Sequence, residues 1–173
     1  MSNTISNTTG GGSSIIEEIE SILESASNQD REILKLAIQS IKQKREKPNT
    51  MYLSGFLNHV GEFVDEETFQ ITIPITPFIL NPLQIVHGGI TATLADSTMG
   101  AVVYRKLPKD KHCVTSEMKI NYISAGLGNQ LICRAKVVHI GNTLCVAECR
   151  ITNEKDKLIA IATGTFYIIK AQK

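Results

Sequence analysis

The sequence has little net charge and no long apolar run. Eighteen basic and seventeen acidic residues give the 173-residue chain a formal charge of +1, so we expect no attraction to a nucleic-acid backbone or an anionic membrane. No stretch reaches the ~20 apolar residues that span a bilayer, and the polar residues 1–14 lack the apolar core of a signal peptide. These absences favour a cytoplasmic protein.

Cysteine is also scarce. The four residues of this type have no C-x-x-C spacing and lie in segments that we predict to be strands: Cys113, Cys133, Cys145 and Cys149. Zinc and redox sites use closely spaced pairs, so we expect packed thiols and no metal site. Apolar residues make up 42% of the chain and charged residues 20%, which is typical of one soluble globular domain with a short appendage.

The N-terminal part of the chain changes character twice. Residues 1–14 have no apolar periodicity and end in glycine and serine, which predicts a disordered tail. Apolar residues then recur at helical spacing across residues 15–47, with a cap-like break at Ser27 and a stop at Pro48. We predict two amphipathic helices there, followed by the main domain over residues 48–173.

From residue 51 the apolar pattern alternates. Met51–Asn58 and Thr68–Thr76 predict a hairpin, with Gly61 and acidic residues in its turn. One helix follows over Gly88–Lys106. Four more strand patterns separated by hairpin-like turns complete the chain, at Cys113–Ile123, Gln130–Ile140, Thr143–Thr152 and Leu158–Ile169. This order predicts an α+β fold in which an antiparallel sheet packs one face on the helix.

The predicted central helix has one charged residue, Asp96, in its first sixteen positions. Such a helix is expected to be buried nearly all round. The neighbours of Asp96 on its stripe are mostly small, among them Gly89, Ala92 and Gly100, which predicts a close approach by another chain in a homo-oligomer. A carboxylate there is costly unless it is hydrogen-bonded, wet or functional, so both a structural and a catalytic aspartate remain open.

The start of this helix is a candidate oxyanion hole. Gly88 and Gly89 remove side chains where free N–H groups and the positive end of the helix dipole project, although a tight turn also uses such glycines. His87 and Asp96 lie nine residues apart, or ~13 Å along the axis. One chain therefore does not bring both groups to the same small atom, whereas a twofold partner that supplies its own Asp96 would.

Asn81, followed by the run His87-Gly88-Gly89 and by Asp96, resembles the signature of PaaI-type hotdog thioesterases. The resemblance covers about residues 50–170 and extends to the predicted strand after the helix, the Gly141-Asn142-Thr143 turn and the last strand. It implies a curved antiparallel sheet wrapped around one long helix, with an extra N-terminal helical segment. It also implies homodimers with a continuous sheet, often paired into homotetramers, and active sites at the dimer interface.

The resemblance further implies hydrolysis of acyl-coenzyme A (CoA), which is a substrate and not a resident cofactor. Asp96 would be the base or the nucleophile, Gly88 N–H and the Asn81 side chain would bind the thioester carbonyl, and Thr115 would position water where some relatives have serine. His87 would be a hydrogen-bonding helper or a packed helix-entry residue. CoA contacts would include Gly89, Gly141, Asn142, Thr143, Arg105 and Lys106.

Two alternatives use the same residues. A hotdog hydratase or dehydratase would pair His87 with Asp96, and a non-catalytic acyl-CoA sensor would use the N-terminal helices to transmit occupancy. The combination of Asn81 with Asp96 favours catalysis, because a sensor needs neither. Every candidate catalytic residue lies beyond residue 80, so residues 1–14 are expected to be dispensable for turnover.

Overall fold

The computed structural model describes residues 13–171 and begins with two helices, α1 (Ile15–Ser25) and α2 (Asn28–Glu46). Each starts with a capping box, in which Ser14 or Ser27 and the residue three positions later satisfy each other's backbone N–H groups. The two predicted N-terminal helices are confirmed. The predicted disordered tail falls almost wholly on residues 1–12, which lie outside the described residues.

The segment Met51–Asn58, predicted as a strand, forms a short helix instead, α3 (Tyr52–Phe56). The Ser40 hydroxyl on α2 donates to the Tyr52 carbonyl at 2.6 Å. Gly55 lies so close to α2 that a Cβ there would be 2.4 Å from the Cα of Ser40. The strand prediction was wrong because this contact with α2, which the alternating local pattern does not report, selects the backbone conformation.

The predicted hairpin is present, but its first strand lies later in the chain, as β1 (Val60–Phe63), while its second strand, β2 (Phe69–Pro74), lies within the predicted Thr68–Thr76. Gly61 belongs to β1 and not to the turn, so that assignment was also wrong. Its missing side chain leaves room for the ring of Phe69, which a Cβ would approach to 3.0 Å. The turn is instead stabilised by Asp65, whose carboxylate accepts hydrogen bonds from the backbone N–H groups of Glu67 and Thr68.

The other elements follow the prediction. A 3-10 turn at Pro77–Ile79 leads to α4 (Gly88–Lys106). The remaining strands are β3 (Lys111–Tyr122), β4 (Gln130–Ile140), β5 (Leu144–Asn153) and β6 (Leu158–Lys170). All six strands form one antiparallel sheet in the order β1-β2-β4-β5-β6-β3. The α+β hotdog fold, a curved sheet around one long helix with a helical N-terminal segment, is confirmed.

The hydrophobic core lies between α4 and the inner face of the sheet. It contains Leu94 and Met99 of α4 against Ile73, Ile151 and Phe166 of the sheet. Burial of a side chain of this size contributes roughly 1.5–3 kcal/mol. Three of the four thiols are buried in this core, as expected, and Cys113 is half-buried.

One side of α4 is open, contrary to the expectation of burial all round. Asp96 and several small neighbours are only half-buried and line a cleft. The helix therefore has a packed face and a cleft face, although its sequence is apolar or small on both. No helix within residues 13–171 is long and apolar enough to cross a membrane.

Candidate active site

Asp96 lies near the middle of α4 and faces β3. The Thr115 hydroxyl of β3 donates a hydrogen bond to Oδ1 of Asp96 at 2.8 Å, so the structure brings these two predicted residues together. A β-bulge follows Thr115 directly, because Ser116 has no partner in the pairing of β3 with β6, and bulges commonly re-aim side chains. The other carboxylate oxygen, Oδ2, accepts no hydrogen bond within residues 13–171 and is available to a ligand.

The first turn of α4 leaves one backbone donor unused. The N–H of Gly89 donates to Nδ1 of His87 at 2.9 Å, and the N–H groups of Ile90 and Thr91 donate to the His87 carbonyl. Gly88 N–H has no acceptor in the described part of the chain. It therefore combines a free donor with the positive end of the helix dipole, as an oxyanion hole requires.

His87 is the N-cap of α4 and is exposed. Because its Nδ1 accepts the Gly89 N–H, the neutral ring carries its proton on Nε2. The backbone N–H of His87 donates to the Ile79 carbonyl at 2.9 Å, which ties the helix start to the 3-10 turn. His87 therefore lies at the helix entry, as one interpretation expected, but it is exposed and not packed.

Asn81 lies in the loop before α4, beside the helix start. Its Oδ1 accepts the N–H of Leu83 at 2.9 Å and that of Ile85 at 3.4 Å. The Asn81 backbone N–H donates to the Ile85 carbonyl, and Gln84, with φ of 57°, closes the turn. With the oxygen occupied, the Nδ2 amide group is the remaining donor, and it has no acceptor among residues 13–171.

The predicted residues thus form two groups. We name Asn81 and Gly88, which lie before and at the start of α4, the donor half-site, and Asp96 and Thr115, which share a hydrogen bond, the carboxylate half-site. Gly88 and Asp96 are eight residues apart on α4, or about 12 Å along its axis. Within one chain the two half-sites therefore do not act on the same carbonyl.

The carboxylate half-site opens into a cleft of about 1210 Å³. Small residues of α4 form one side, and β2, β3 and β6 contribute the floor. Another part of the lining comes from the end of α2 and from the residues that follow it as far as α3, which the sequence had not placed near the site: Gln43, Glu46, Lys47, Asn49, Thr50, Met51, Leu53 and Ser54. No sequence motif identifies these residues, because they line the cleft only after α2 and α3 have packed on the domain.

The pKa values of two titratable groups in the cleft are shifted in the direction that favours the neutral form. Burial, with a contribution from the Arg105 charge, lowers the pKa of His59. The Arg105 guanidinium itself lies 4.2 Å from the centre of the Phe69 ring. Burial and the Asp96 carboxylate raise the pKa of Cys113, so this thiol stays protonated and does not provide a nucleophilic thiolate.

The predicted CoA contacts are dispersed. The turn Gly141–Thr143 connects β4 to β5. Leu144, the first residue of β5, pairs with Tyr167 of β6, and Tyr167 also pairs with Val114 of β3. The turn therefore lies at the end of the sheet that contains Val114. Arg105 lines the cleft, whereas Lys106 is exposed outside it. A second, smaller hollow of about 420 Å³ lies on the outer face of the sheet among charged side chains and contains none of the candidate catalytic residues.

Comparison with known proteins shows the family of this chain. The sequence model of the thioesterase superfamily matches residues 83–160. The BH2602 protein from Bacillus halodurans, whose structure was solved with CoA, is 33% identical, with a TM-score of 0.81 over 87% of this chain and 99% of that chain. The chain belongs to the thioesterase superfamily. It is accordingly a thioester hydrolase.

Two further relatives lie at lower identity. The 1,4-dihydroxy-2-naphthoyl-CoA hydrolase of Listeria monocytogenes is 24% identical over 103 residues, which are 60% of this chain and 84% of the relative. The E. coli PaaI protein has the same fold, with a TM-score of 0.64 at 23% identity over 78% of this chain and 96% of that chain. The fold and the superfamily expected from the sequence are thereby confirmed.

Proposed function

We propose that the protein hydrolyses acyl-CoA thioesters to the free acid and CoA. The observation that carries this proposal is the Thr115 hydrogen bond to Asp96, which orients one carboxylate oxygen and leaves the other free in a large cleft. The bound CoA in the Bacillus halodurans structure and the CoA hydrolase from Listeria support this substrate class. CoA is then a substrate moiety and not a resident cofactor.

The proposed site is shared by two subunits of a homo-oligomer. Strand β3 forms one edge of the sheet over twelve residues and exposes Val114–Glu117 beside Asp96. A long edge strand with unpaired backbone groups is normally covered, and a second copy that paired its own β3 would continue the sheet. A twofold arrangement would also bring the donor half-site of one subunit to the carboxylate half-site of the other.

In the proposed reaction Asp96 acts as a general base. Its free oxygen takes a proton from water, and the resulting hydroxide attacks the thioester carbonyl carbon. The carbonyl oxygen gains negative charge and is held by the Gly88 N–H and the Asn81 amide of the other subunit. When the tetrahedral intermediate collapses, the C–S bond breaks, the CoA sulfur takes the proton from Asp96, and the free acid leaves.

The hydratase alternative receives less support from the geometry. It needs a histidine paired with an acid, whereas His87 caps α4 and makes no hydrogen bond to Asp96 within residues 13–171. No described contact favours the sensor alternative, which would leave the oriented carboxylate without a role.

A panel of acyl-CoA substrates with detection of free thiol tests the proposal. We expect thiol release from at least one member at rates typical of enzymes, and no water addition to an enoyl-CoA. Saturable binding of acyl-CoA without any thiol release would contradict it and would favour the sensor. Sedimentation of the same preparation should show a dimer or tetramer, and a fully active monomer would contradict the shared site.

A further inference from the structure

The cleft beside Asp96 extends to the N-terminal helical segment. Residues between 43 and 54 form one side of it, and we name this part of the surface the α2–α3 wall. The reacting carbonyl has to lie at the Asp96 end. A part of the substrate that extends from the carbonyl along this cleft would therefore contact the α2–α3 wall.

The α2–α3 wall is fixed to the domain. Lys44 Nζ donates to the backbone carbonyls of Pro48 and Thr50, which holds the loop after α2. The Phe56 ring of α3 stacks on Phe78 with ring centres 5.2 Å apart, and Phe78 belongs to the 3-10 turn before Asn81. A wall held in this way can discriminate substrates by size, because it does not move aside at low cost.

The start of α3 presents two apolar side chains to the cleft, from its N-cap Met51 and from Leu53, next to the polar Ser54. Met51 and Leu53 line the cleft and are 56% and 40% exposed, so their side chains are open to a ligand. Phe69, Ile71 and Phe166 line the same cleft. A pantetheine arm carries amides that need hydrogen-bond partners, whereas a hydrocarbon chain is stabilised by such a surface.

We propose that the α2–α3 wall binds the acyl group of the substrate and that Leu53, with Met51 beside it, sets the size of acyl group accepted. This inference rests on the proposed acyl-CoA hydrolysis and assigns the part of the substrate that the α2–α3 wall recognises. The polar residues of the wall, Glu46 and Lys47 among them, come from the end of α2 and the loop after it. A CoA-binding wall would use these residues instead.

The test is the specificity of Leu53→Trp and Leu53→Ala over a series from acetyl-CoA to palmitoyl-CoA. Leu53→Trp shortens the cleft, so kcat/KM for the longest good substrate should fall about 10-fold or more relative to the shortest, which is the scale of one or two methylenes in an apolar pocket. Leu53→Ala should shift the same ratio the other way. Free CoA should inhibit both variants as it inhibits the wild type.

Ile38→Trp is the matched control. Ile38 is an exposed aliphatic residue of α2 outside the cleft lining, and this variant should keep the wild-type chain-length profile.

An unchanged profile in the Leu53 variants would overturn the inference while leaving the proposed function intact. An equal KM rise for all chains with weaker CoA inhibition would also overturn it, in favour of CoA binding. If Leu53→Trp does not fold, Leu53→Ala and Met51→Ala decide. A wild type that hydrolyses no acyl-CoA would overturn both proposals.

Discussion

The donor half-site and the carboxylate half-site lie on one helix, about 12 Å apart, and are built in different ways. The donor half-site uses backbone geometry: a capped helix start leaves Gly88 N–H free, and a turn occupies the Asn81 oxygen. The carboxylate half-site uses a side chain on α4 and a hydroxyl on β3, nineteen residues away in the chain. In the proposed mechanism the donor half-site stabilises negative charge and the carboxylate half-site removes a proton, so mutations in the two are expected to have different effects on catalysis.

Asp96→Asn should have the largest effect. The amide keeps the size of the side chain and still accepts the Thr115 hydrogen bond through its oxygen, but it is not basic. We expect kcat to fall by roughly 10² to 10⁴, with little change in KM. Steady-state kinetics on a good acyl-CoA substrate measures this.

Thermal unfolding of the same variant is the control. If Asp96 were only structural, Asp96→Asn would lower Tm by several degrees for each kcal/mol lost and leave turnover per folded molecule unchanged. A normally folded oligomer with wild-type kcat would contradict the mechanism.

Asn81→Ala should have the next largest effect, a loss of about 10² to 10³ in kcat, which is typical of one oxyanion donor. Alanine also removes the acceptor for Leu83 N–H, so the loop itself loses a hydrogen bond. Asn81→Asp is the matched variant, because a carboxylate keeps that acceptor but has no donor. If the donor matters, Asn81→Asp should be at least as impaired as Asn81→Ala while the loop remains in place.

Combining the two half-site variants tests whether they act across subunits. In a dimer of one Asp96→Asn chain and one Asn81→Ala chain, one site carries both defects and the other carries none. Random reassociation of equal amounts should restore about one quarter of the wild-type rate in a twofold dimer. No recovery in verified mixed dimers would show that each site lies within one chain.

Thr115→Val should have a smaller effect. It removes the donor to Asp96 but not the base, and one hydrogen bond to a charged group is worth roughly 1.5–3 kcal/mol, so kcat should fall about 10-fold or more. Thr115→Ser keeps the hydroxyl and should retain most of the rate. Equal rates for the valine and serine variants would show that this hydrogen bond does not orient the carboxylate.

Deletion of residues 1–14 should have the smallest effect, with kcat and KM within error of the full chain, because no candidate site residue lies there. Deletion of residues 1–47 should instead lower activity, since α2 contributes Gln43 and Glu46 to the cleft and Ser40 holds α3. If this truncation stayed oligomeric and kept the wild-type chain-length profile, the N-terminal segment would have no role in the site.

The main domain was largely predictable from the sequence. The bounds of α4 and of β4 match the alternation and helical periods, because those patterns report which face of a regular element is buried. The lone charged residue in the first sixteen positions of α4 made Asp96 the candidate acid, and the glycines at the helix start predicted the donor position. The first strand of the hairpin was predicted too early in the chain, because Gly61 was assigned to the turn. Gly61 lies inside β1, where its missing side chain makes room for the Phe69 ring.

The sequence by itself thus determined the order of the elements from β2 onward, the central helix with its single acid, and the pair of glycines that opens it, since each is a property of neighbouring residues. Only the tertiary structure decided that residues 52–56 are helical, that Thr115 meets Asp96, and that the end of α2 and α3 form a wall of the cleft. These features depend on contacts between residues far apart in the chain. Local periodicity reports which face of an element is buried, but packing decides which distant element covers it.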